Sequence, residues 1–376
     1  MKKYIPVLFI ILQTTLLPAG SQGPYRKNIN IPDIPGYVTL KCDFHMHTVF
    51  SDGYVWPTVR IDEAWKDGLD VIAITDHIEY QPFRDDIVIN HNRSFELAKP
   101  YADAAGIILI RGTEISRSMP PGHLNALFIQ DAGKISPDDW RQALLEAKNQ
   151  GAYVFWNHPG WRQPNEIPVW YDEHTEIFSQ NLAQGMEIVN ERSYYPLAFR
   201  WCLEKNITIL GNSDAHNPIH LDYNPWNGDH RAITLVFASE KTESAVRKAL
   251  DMGRTAVWHK NLVLGKKEFL EPLFYNSVRI LNPDVTVRGT GRALIQVENI
   301  SDVPMHFERT DSSAWFNAFD HFSVPGNQVS GFALTVNREM PVGIHEIVLR
   351  YRVNTFVIGP EEGLPVELKI RINHLK

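Results

Sequence analysis

The sequence predicts an α/β chain, with a barrel of parallel βα units followed by a small antiparallel β-sandwich. Two patterns carry that expectation. From about residue 36 to 262, seven short apolar runs alternate with amphipathic stretches. Strands separated by helices argue for parallel units, and seven in succession argue for a barrel rather than an open sheet. Beyond that, short alternating strands are divided by "NPD", "GTG", "SDVP" and "PGN", the spacing of a sandwich. A chain of 376 residues, 44% hydrophobic and 22% charged, can hold one large domain and a smaller one.

At the N-terminus, "MKK" precedes the apolar run "YIPVLFIILQTTLLP" and the small residues "AGSQ". This is the pattern of a secretion signal over residues 1–21, cleaved after Ser21. The run is shorter than the ~20 apolar residues of a spanning helix, and no cysteine follows it to carry a lipid. A secreted or periplasmic protein with no membrane span after cleavage is expected. A short segment, 22–37, leads into the barrel domain at 38–264, and the β-sandwich domain occupies 265–376.

The barrel strands read "YVTLKCDF", "LDVIAIT", "GIILIR", "LNALFI", "AYVFW", "GMEIV" and "ITILG". Two of these, "LDVIAIT" and "GIILIR", are apolar almost throughout, as strands buried on both faces are. Helices are predicted over 58–67, 92–105, 137–150 and 196–205. The segment "RAITLVFASEKTESAVRKALDMGRTAVW" adds a strand and a helix with Thr242 as N-cap. Cys42 and Cys202 fall in a strand and a helix and are expected as buried thiols, not a disulfide framework.

With 37 Lys and Arg against 44 Asp and Glu, the net charge is −7, or −9 once Lys2 and Lys3 leave with the signal. An acidic chain is unsuited to tracking a nucleic-acid duplex. The 15 histidines matter by position rather than by number. His45 and His47 follow the first strand, Asp76 and His77 end the second, and Glu114 comes three residues past the third. His123 opens the fourth, His158 follows the fifth, and Asp214 and His216 follow the seventh. In parallel barrels, catalytic groups collect at the carboxyl ends of the strands. Residues i and i+2 of a strand share a face, so His45 and His47 can bind one ion while Met46 turns away. The turn "TVFSDG" returns Asp52 to the same mouth, with Gly53 supplying backbone freedom. Asp43 lies deeper, behind the ligands. Imidazole nitrogen and carboxylate oxygen suit Zn, Mn or Fe(II), and nine candidate ligands exceed the needs of one ion.

The motifs "HMH…SDG", "ITDH", "GTE", "GH", "NHP" and "SDAH", in this order, resemble the polymerase-and-histidinol-phosphatase (PHP) superfamily. The resemblance implies a distorted seven-stranded β/α barrel holding two or three divalent ions and hydrolysing phosphoesters. It implies His45, His47, Glu114 and Asp214 as ligands of one ion, and Asp52, His77 and His216 as those of a second. Glu114, His123 and His158 would form a third site, with the Glu114 carboxylate bridging. Many relatives have histidine at the position of Asp52. More narrowly, "SDGYVWPTVRIDEAWKDGLDVIAITDHIEY" and "HRAITLVFASEKTESAVRKALDMGRTAVW" look like a secreted bacterial branch, the Sb-PDE family of phosphodiesterases, whose relatives act on organophosphate diesters.

The expected reaction is hydrolysis of a small-molecule phosphodiester by a hydroxide bridging two ions, with Glu114, Asp214 and His216 at the reacting centre. Arg93 and Arg117 are candidates to hold the phosphate, Arg117 being nearer the mouth; guanidinium matches phosphate oxygens in a fork. His220 and His230 are candidates for protonating the leaving group. A phosphomonoesterase with the same ligands is the alternative, and a non-catalytic metal-containing binding protein is the alternative of another class. The sequence does not set the oligomeric state or the role of the sandwich.

Overall fold

The computed structural model describes residues 25–88, 90–136, 138–224 and 227–376. The segment read as a secretion signal lies outside them. No helix among the described residues is long and apolar enough to cross a membrane.

The barrel runs β1 (Val38–Asp43), α1 (Pro57–Lys66), β2 (Val71–Ile74), α2 (Arg93–Ala105), β3 (Ile108–Ile115), β4 (Leu124–Leu127), α3 (Trp140–Asn149), β5 (Tyr153–Trp156), α4 (Asp172–Ser179), β6 (Gly185–Asn190), β7 (Ser193–Tyr194), α5 (Pro196–Lys205) and β8 (Thr208–Asn212). It continues through α6 (Ile219–Asp222), β9 (Ile233–Ala238), α7 (Glu243–Asp251), β10 (Thr255–His259) and β11 (Leu262–Gly265). Local chemistry sets the helix ends. Proline sits in the first turn of α1 and α5, where its missing N–H costs nothing, and Gly106 ends α2 at φ 70°. Thr242 caps α7 by accepting from the Ala245 amide at 3.3 Å, as the sequence indicates. Helix α3 starts at Trp140 rather than 137 because Asp139 accepts from Arg141 N and fixes the first turn there. Helix α4, eight residues with three acids and only Ile177 and Phe178 as large apolar side chains, has no match in the sequence reading.

The expectation of uniformly parallel strands needs correction. Strand β4 pairs antiparallel with both β3 and β5, and β9 pairs antiparallel with β1. The link from β3 to β4 is too short for the crossover of a dozen or more residues that a parallel return requires. Strand β3 also runs further than its apolar run, through Ile115, so Glu114 lies within it, opposite Asn125. The sheet order is β11-β10-β9-β1-β2-β3-β4-β5-β6, with β8 on the far side of β6. No ladder joins β8 to β9 among the described residues. Side chains close that seam: Thr234 Oγ1 donates to Gly211 O at 2.8 Å and accepts from Gly211 N at 3.0 Å, and Thr255 Oγ1 donates to Ile209 O at 2.6 Å. The floor of the barrel is a dry cluster that includes Leu40, Cys42, Val71, Ala73, Phe155 and Leu210, sealed by Val246 and Leu250 of α7. Both cysteines are buried free thiols.

Helix α8 (Lys267–Ser277) leads to β12 (Val278–Ile280), β13 (Asp284–Arg288), β14 (Arg292–Asn299), β15 (Met305–Arg309), β16 (Phe316–Asn317), β17 (His321–Val324), β18 (Gln328–Val336), β19 (Gly343–Gly359) and β20 (Glu362–Leu375). One face of the sandwich is the antiparallel sheet β12-β14-β18-β16, whose Ile295 and Phe332 share a core with Leu349, Tyr351 and Leu368 of the long β19–β20 hairpin. Edge strand β13 runs parallel to β20, the one departure from the expected antiparallel pattern. Strand β19 also pairs parallel with β11, Val263 opposite Phe356, so one sheet of 16 strands passes from barrel to sandwich. Residues 25–37 also reach the sandwich, with Asn30 N donating to the Asp302 carboxylate at 2.9 Å.

Candidate metal centre

All nine candidate ligands meet at one end of the barrel. The antiparallel run of β4 makes this possible for His123, because its starting end lies beside the finishing ends of β3 and β5. An isolated parallel bridge, Met46 to Ala215, extends the backbone beyond β1 and turns His45 and His47 to one side. Met46 faces the outer core. Asp214 and His158 hold φ of 49° and 27°, a left-handed conformation that non-glycine residues adopt at a cost where function requires it.

The innermost group is formed by His45 Nε2, His47 Nε2, Glu114 Oε2 and Asp214 Oδ1. Their separations are 3.1 Å (His45–Glu114), 3.1 Å (His45–Asp214), 3.2 Å (His47–Glu114) and 3.0 Å (His47–Asp214). Donors at about 2.1 Å from a common ion lie about 3.0 Å apart in an octahedron and about 3.4 Å apart in a tetrahedron. His47 Nε2 and Asp214 Oδ1 are buried without a hydrogen-bond partner despite their proximity. Buried polar atoms set 3.0 Å apart without a bond between them are disposed as ligands of a common ion. A second group joins Asp52 Oδ1 to His216 Nε2 at 3.3 Å, His77 Nε2 at 3.5 Å and His47 Nδ1 at 3.7 Å. On the third side, Glu114 Oε1 lies 2.8 Å from His123 Nδ1 and 3.6 Å from His158 Nε2. His77 also approaches Glu114, and His158 approaches Asp214, so the groups share members.

Burial governs the electrostatics. His45, His47 and Glu114 are completely buried. Burial alone would hold His45 and His47 neutral, but the neighbouring carboxylates prevail. Asp214, Glu114 and Glu187 raise His45 well above the usual imidazole range, and Asp214 and Glu114 raise His47 to about 9. Burial likewise opposes ionisation of Glu114 and Asp214, yet the surrounding imidazoles hold both well below the normal carboxylate range. His123 is lowered by burial. Such a field calls for cations. Protons supply them in the absence of metal, and divalent ions with two or three sites fit the same donors. Metal entry must therefore displace protons. At pH 7, Mn or Zn binding is expected to release more than one proton per protein, with affinity rising from pH 6 to 9 as His47 deprotonates. Calorimetry in buffers of different ionisation enthalpy measures that number, and zero release would contradict the assignment.

Supporting residues complete the site. Glu187, which the sequence reading missed, accepts from His158 N at 2.8 Å, Asn190 Nδ2 at 2.9 Å and Asn212 Nδ2 at 2.9 Å, and lies 3.0 Å from His45 Nδ1. A lone acid in the apolar strand "GMEIV" was the available signal. Asn157 donates to Glu114 Oε1 at 2.9 Å. Asp43 accepts from Ser213 Oγ at 2.6 Å, next to Asp214, and pairs with buried Arg231 at 3.2 Å. Asp76 serves the 48–51 turn, accepting from Thr48 N and Ser51 Oγ. Gly53 is required for space rather than freedom, since a Cβ there would lie 2.6 Å from the His47 carbonyl.

Three sequence expectations change. His230 lies away from the ligands, with its ring nitrogens 2.7 Å from Arg231 O and 3.0 Å from Lys260 O, because the start of β9 packs it against Trp258. His220 is exposed beside Asp67. Neither is placed to protonate a leaving group. Arg93 pairs with Glu96 on the surface of α2. Arg117 does line the cavity over the ligands, paired with Glu79. Arg162 lines it too, its guanidinium 4.3 Å from the centre of the Trp161 ring, and no carboxylate among the described residues pairs with it. The cavity measures about 650 Å³, and its lining residues, all at or before His216, include none from the sandwich.

Comparisons with known proteins agree with this architecture. Residues 278–369 match the family model DUF5001, an Ig-like domain. An uncharacterized protein of Methanocaldococcus jannaschii is 37% identical over 82 residues, which is 22% of this chain and about a third (36%) of that protein's length. A solved two-domain protein from Bacteroides vulgatus, containing a predicted PHP-like metal-dependent phosphoesterase, is 39% identical. The match covers 93% of this chain and 100% of that one, with a TM-score of 0.87. An α/β barrel carrying this ligand set, joined to an Ig-like sandwich and matched over 93% of the chain at that identity, belongs to the two-domain family of PHP-like metal-dependent phosphoesterases.

Proposed function

We propose that the protein is a metal-dependent phosphodiesterase acting on a small organophosphate diester outside the cytoplasm. The observation that carries the hydrolytic reading is the convergence of four buried donor atoms, 3.0–3.2 Å apart along four edges, beneath an open cavity of about 650 Å³. Bound ions there would acidify a water and neutralise the oxygens on phosphorus. His45, His47, Glu114 and Asp214 would hold the deepest ion, Asp52, His77 and His216 another, and Glu114 with His123 and His158 a third. The chain's own part is to fix those donors, through Glu187 and the amides of Asn157 and Asn190, and to keep bulk water from the buried side. Arg162 is the better placed guanidinium for a non-bridging oxygen, since Arg117 is engaged by Glu79. The diester preference rests on the likeness of two long stretches to the secreted Sb-PDE branch and on a cavity with room for organic groups on both sides of phosphorus. Export rests on the N-terminal apolar run.

The test compares bis(4-nitrophenyl) phosphate with 4-nitrophenyl phosphate, using protein without residues 1–21 supplied with Mn, Zn or Fe(II). A preference of about tenfold or more for the diester (1.4 kcal/mol of transition-state discrimination), abolished by chelation, is expected. A monoester preference would keep the metal centre and replace the substrate class.

A further inference from the structure

Beside the metal cavity lies a second depression of about 420 Å³. The two adjoin across Glu166, Ser193 and Tyr195, which line both. Their chemistry differs. The metal cavity is walled mainly by ionisable groups, whereas Ile167, Pro168, Pro196 and Leu197 give the second an apolar wall, beside Asn165 and the phenol of Tyr194. Ile167 is 54% exposed, although it stands between buried Pro168 and a segment with a constrained backbone. Asn165 and Glu166 both take left-handed φ, 57° and 56°, and Gly160 lies so close under them that a Cβ would fall 2.2 Å from Glu166 O. An apolar side chain left in water gains when an apolar ligand covers it, and strained non-glycine backbone collects at ligand sites. At the join, Ser193 and Tyr195 carry hydroxyl groups on residues that line both cavities.

We propose that this depression is the subsite for the second, non-leaving alcohol of the diester, and that the alcohol it selects is apolar, an alkyl or aryl group of several carbons. The inference rests on the diesterase reading, because a monoester has no second arm.

The test uses metal-loaded protein and 4-nitrophenyl diesters whose second ester is methyl, ethyl, butyl or hexyl, with a hydroxyl-terminated diethylene glycol ester as the polar arm of matching length. For apolar burial of about 0.8 kcal/mol per methylene, kcat/KM is expected to rise about two- to fourfold per methylene until the depression is filled. The polar arm should gain nothing. Ile167→Ser, at a half-exposed loop position where folding is not at stake, should flatten the series. A flat series in the native protein, a polar arm as good as hexyl, or an unchanged slope in Ile167→Ser would each overturn the subsite. Hydrolysis of 4-nitrophenyl phosphate with every diester inert would instead overturn the diesterase reading and the subsite with it. Active diesters with a flat series would remove the subsite alone.

Discussion

Replacing Glu114 by Gln is expected to lower kcat/KM by about 10³-fold or more and to empty at least one metal site. One carboxylate oxygen of Glu114 lies 3.1–3.2 Å from nitrogens of His45, His47 and His77, while the other lies 2.8 Å from His123 and 3.6 Å from His158. A glutamine keeps the shape, but one oxygen becomes an NH2 that cannot ligate, and the charge that draws cations into a fully buried site is gone. A loss of several kcal/mol of charge stabilisation at phosphorus corresponds to at least that factor in rate. The field on the histidines weakens as well, so proton release on metal binding should fall. Metal content by mass spectrometry, read together with turnover, checks this. A variant that keeps the native number of ions and activity within about tenfold (1.4 kcal/mol) would remove Glu114 from its bridging position.

Most ligands of this centre were legible because they follow or open an apolar run, and the ends of such runs are where short polar motifs interrupt them. "HMH", "ITDH" and "SDAH" stand out against their neighbours for that reason. The direction of β4 was less legible. Only the brevity of the link between Ile115 and Leu124 signals an antiparallel return, and an apolar run of four to six residues looks the same in either direction. Residues that act behind the ligands were harder still. Asn157, Asn190 and Asn212 are ordinary strand-end amides in sequence, and they gain meaning only when they converge on Glu114, Asp214 and Glu187. Proximity also misled: His230 stands three residues before the β9 core strand, near the mouth in sequence terms, yet its ring turns to the Lys260 carbonyl. The pairing of β11 with β19 joins residues about ninety apart, 263 and 356, and no local pattern encodes it. The sandwich was visible as a domain, but its continuity with the barrel sheet was not.

Glu187→Gln is expected to cost about 10–100-fold in metal affinity, the range found when the partner of a ligating histidine is lost. The carboxylate faces donors on every side. Oε1 meets His45 Nδ1 and Asn212 Nδ2, and Oε2 meets the His158 amide and Asn190 Nδ2. Whichever way a glutamine turns, its NH2 confronts two of those groups. If it turns toward His45, that imidazole can satisfy it only by accepting at Nδ1, which moves the ring proton to Nε2, the atom 3.1 Å from both Glu114 and Asp214. A protonated Nε2 has no lone pair for a metal. If it turns the other way, the His158 backbone and Asn190 lose their acceptor, and Asn190 is also the donor that steadies Asp214 at 3.2 Å. Both routes injure metal binding while leaving the apolar floor of the barrel untouched. The signature is a weakened metal isotherm and a shifted pH dependence of binding, with melting of the metal-free protein changed by far less than in Glu187→Ala, which strands all four donors. Metal affinity equal to the native protein in Glu187→Gln would reduce Glu187 to a packing residue, since a mere filler of the same volume would leave His45 free to keep its Nε2 lone pair.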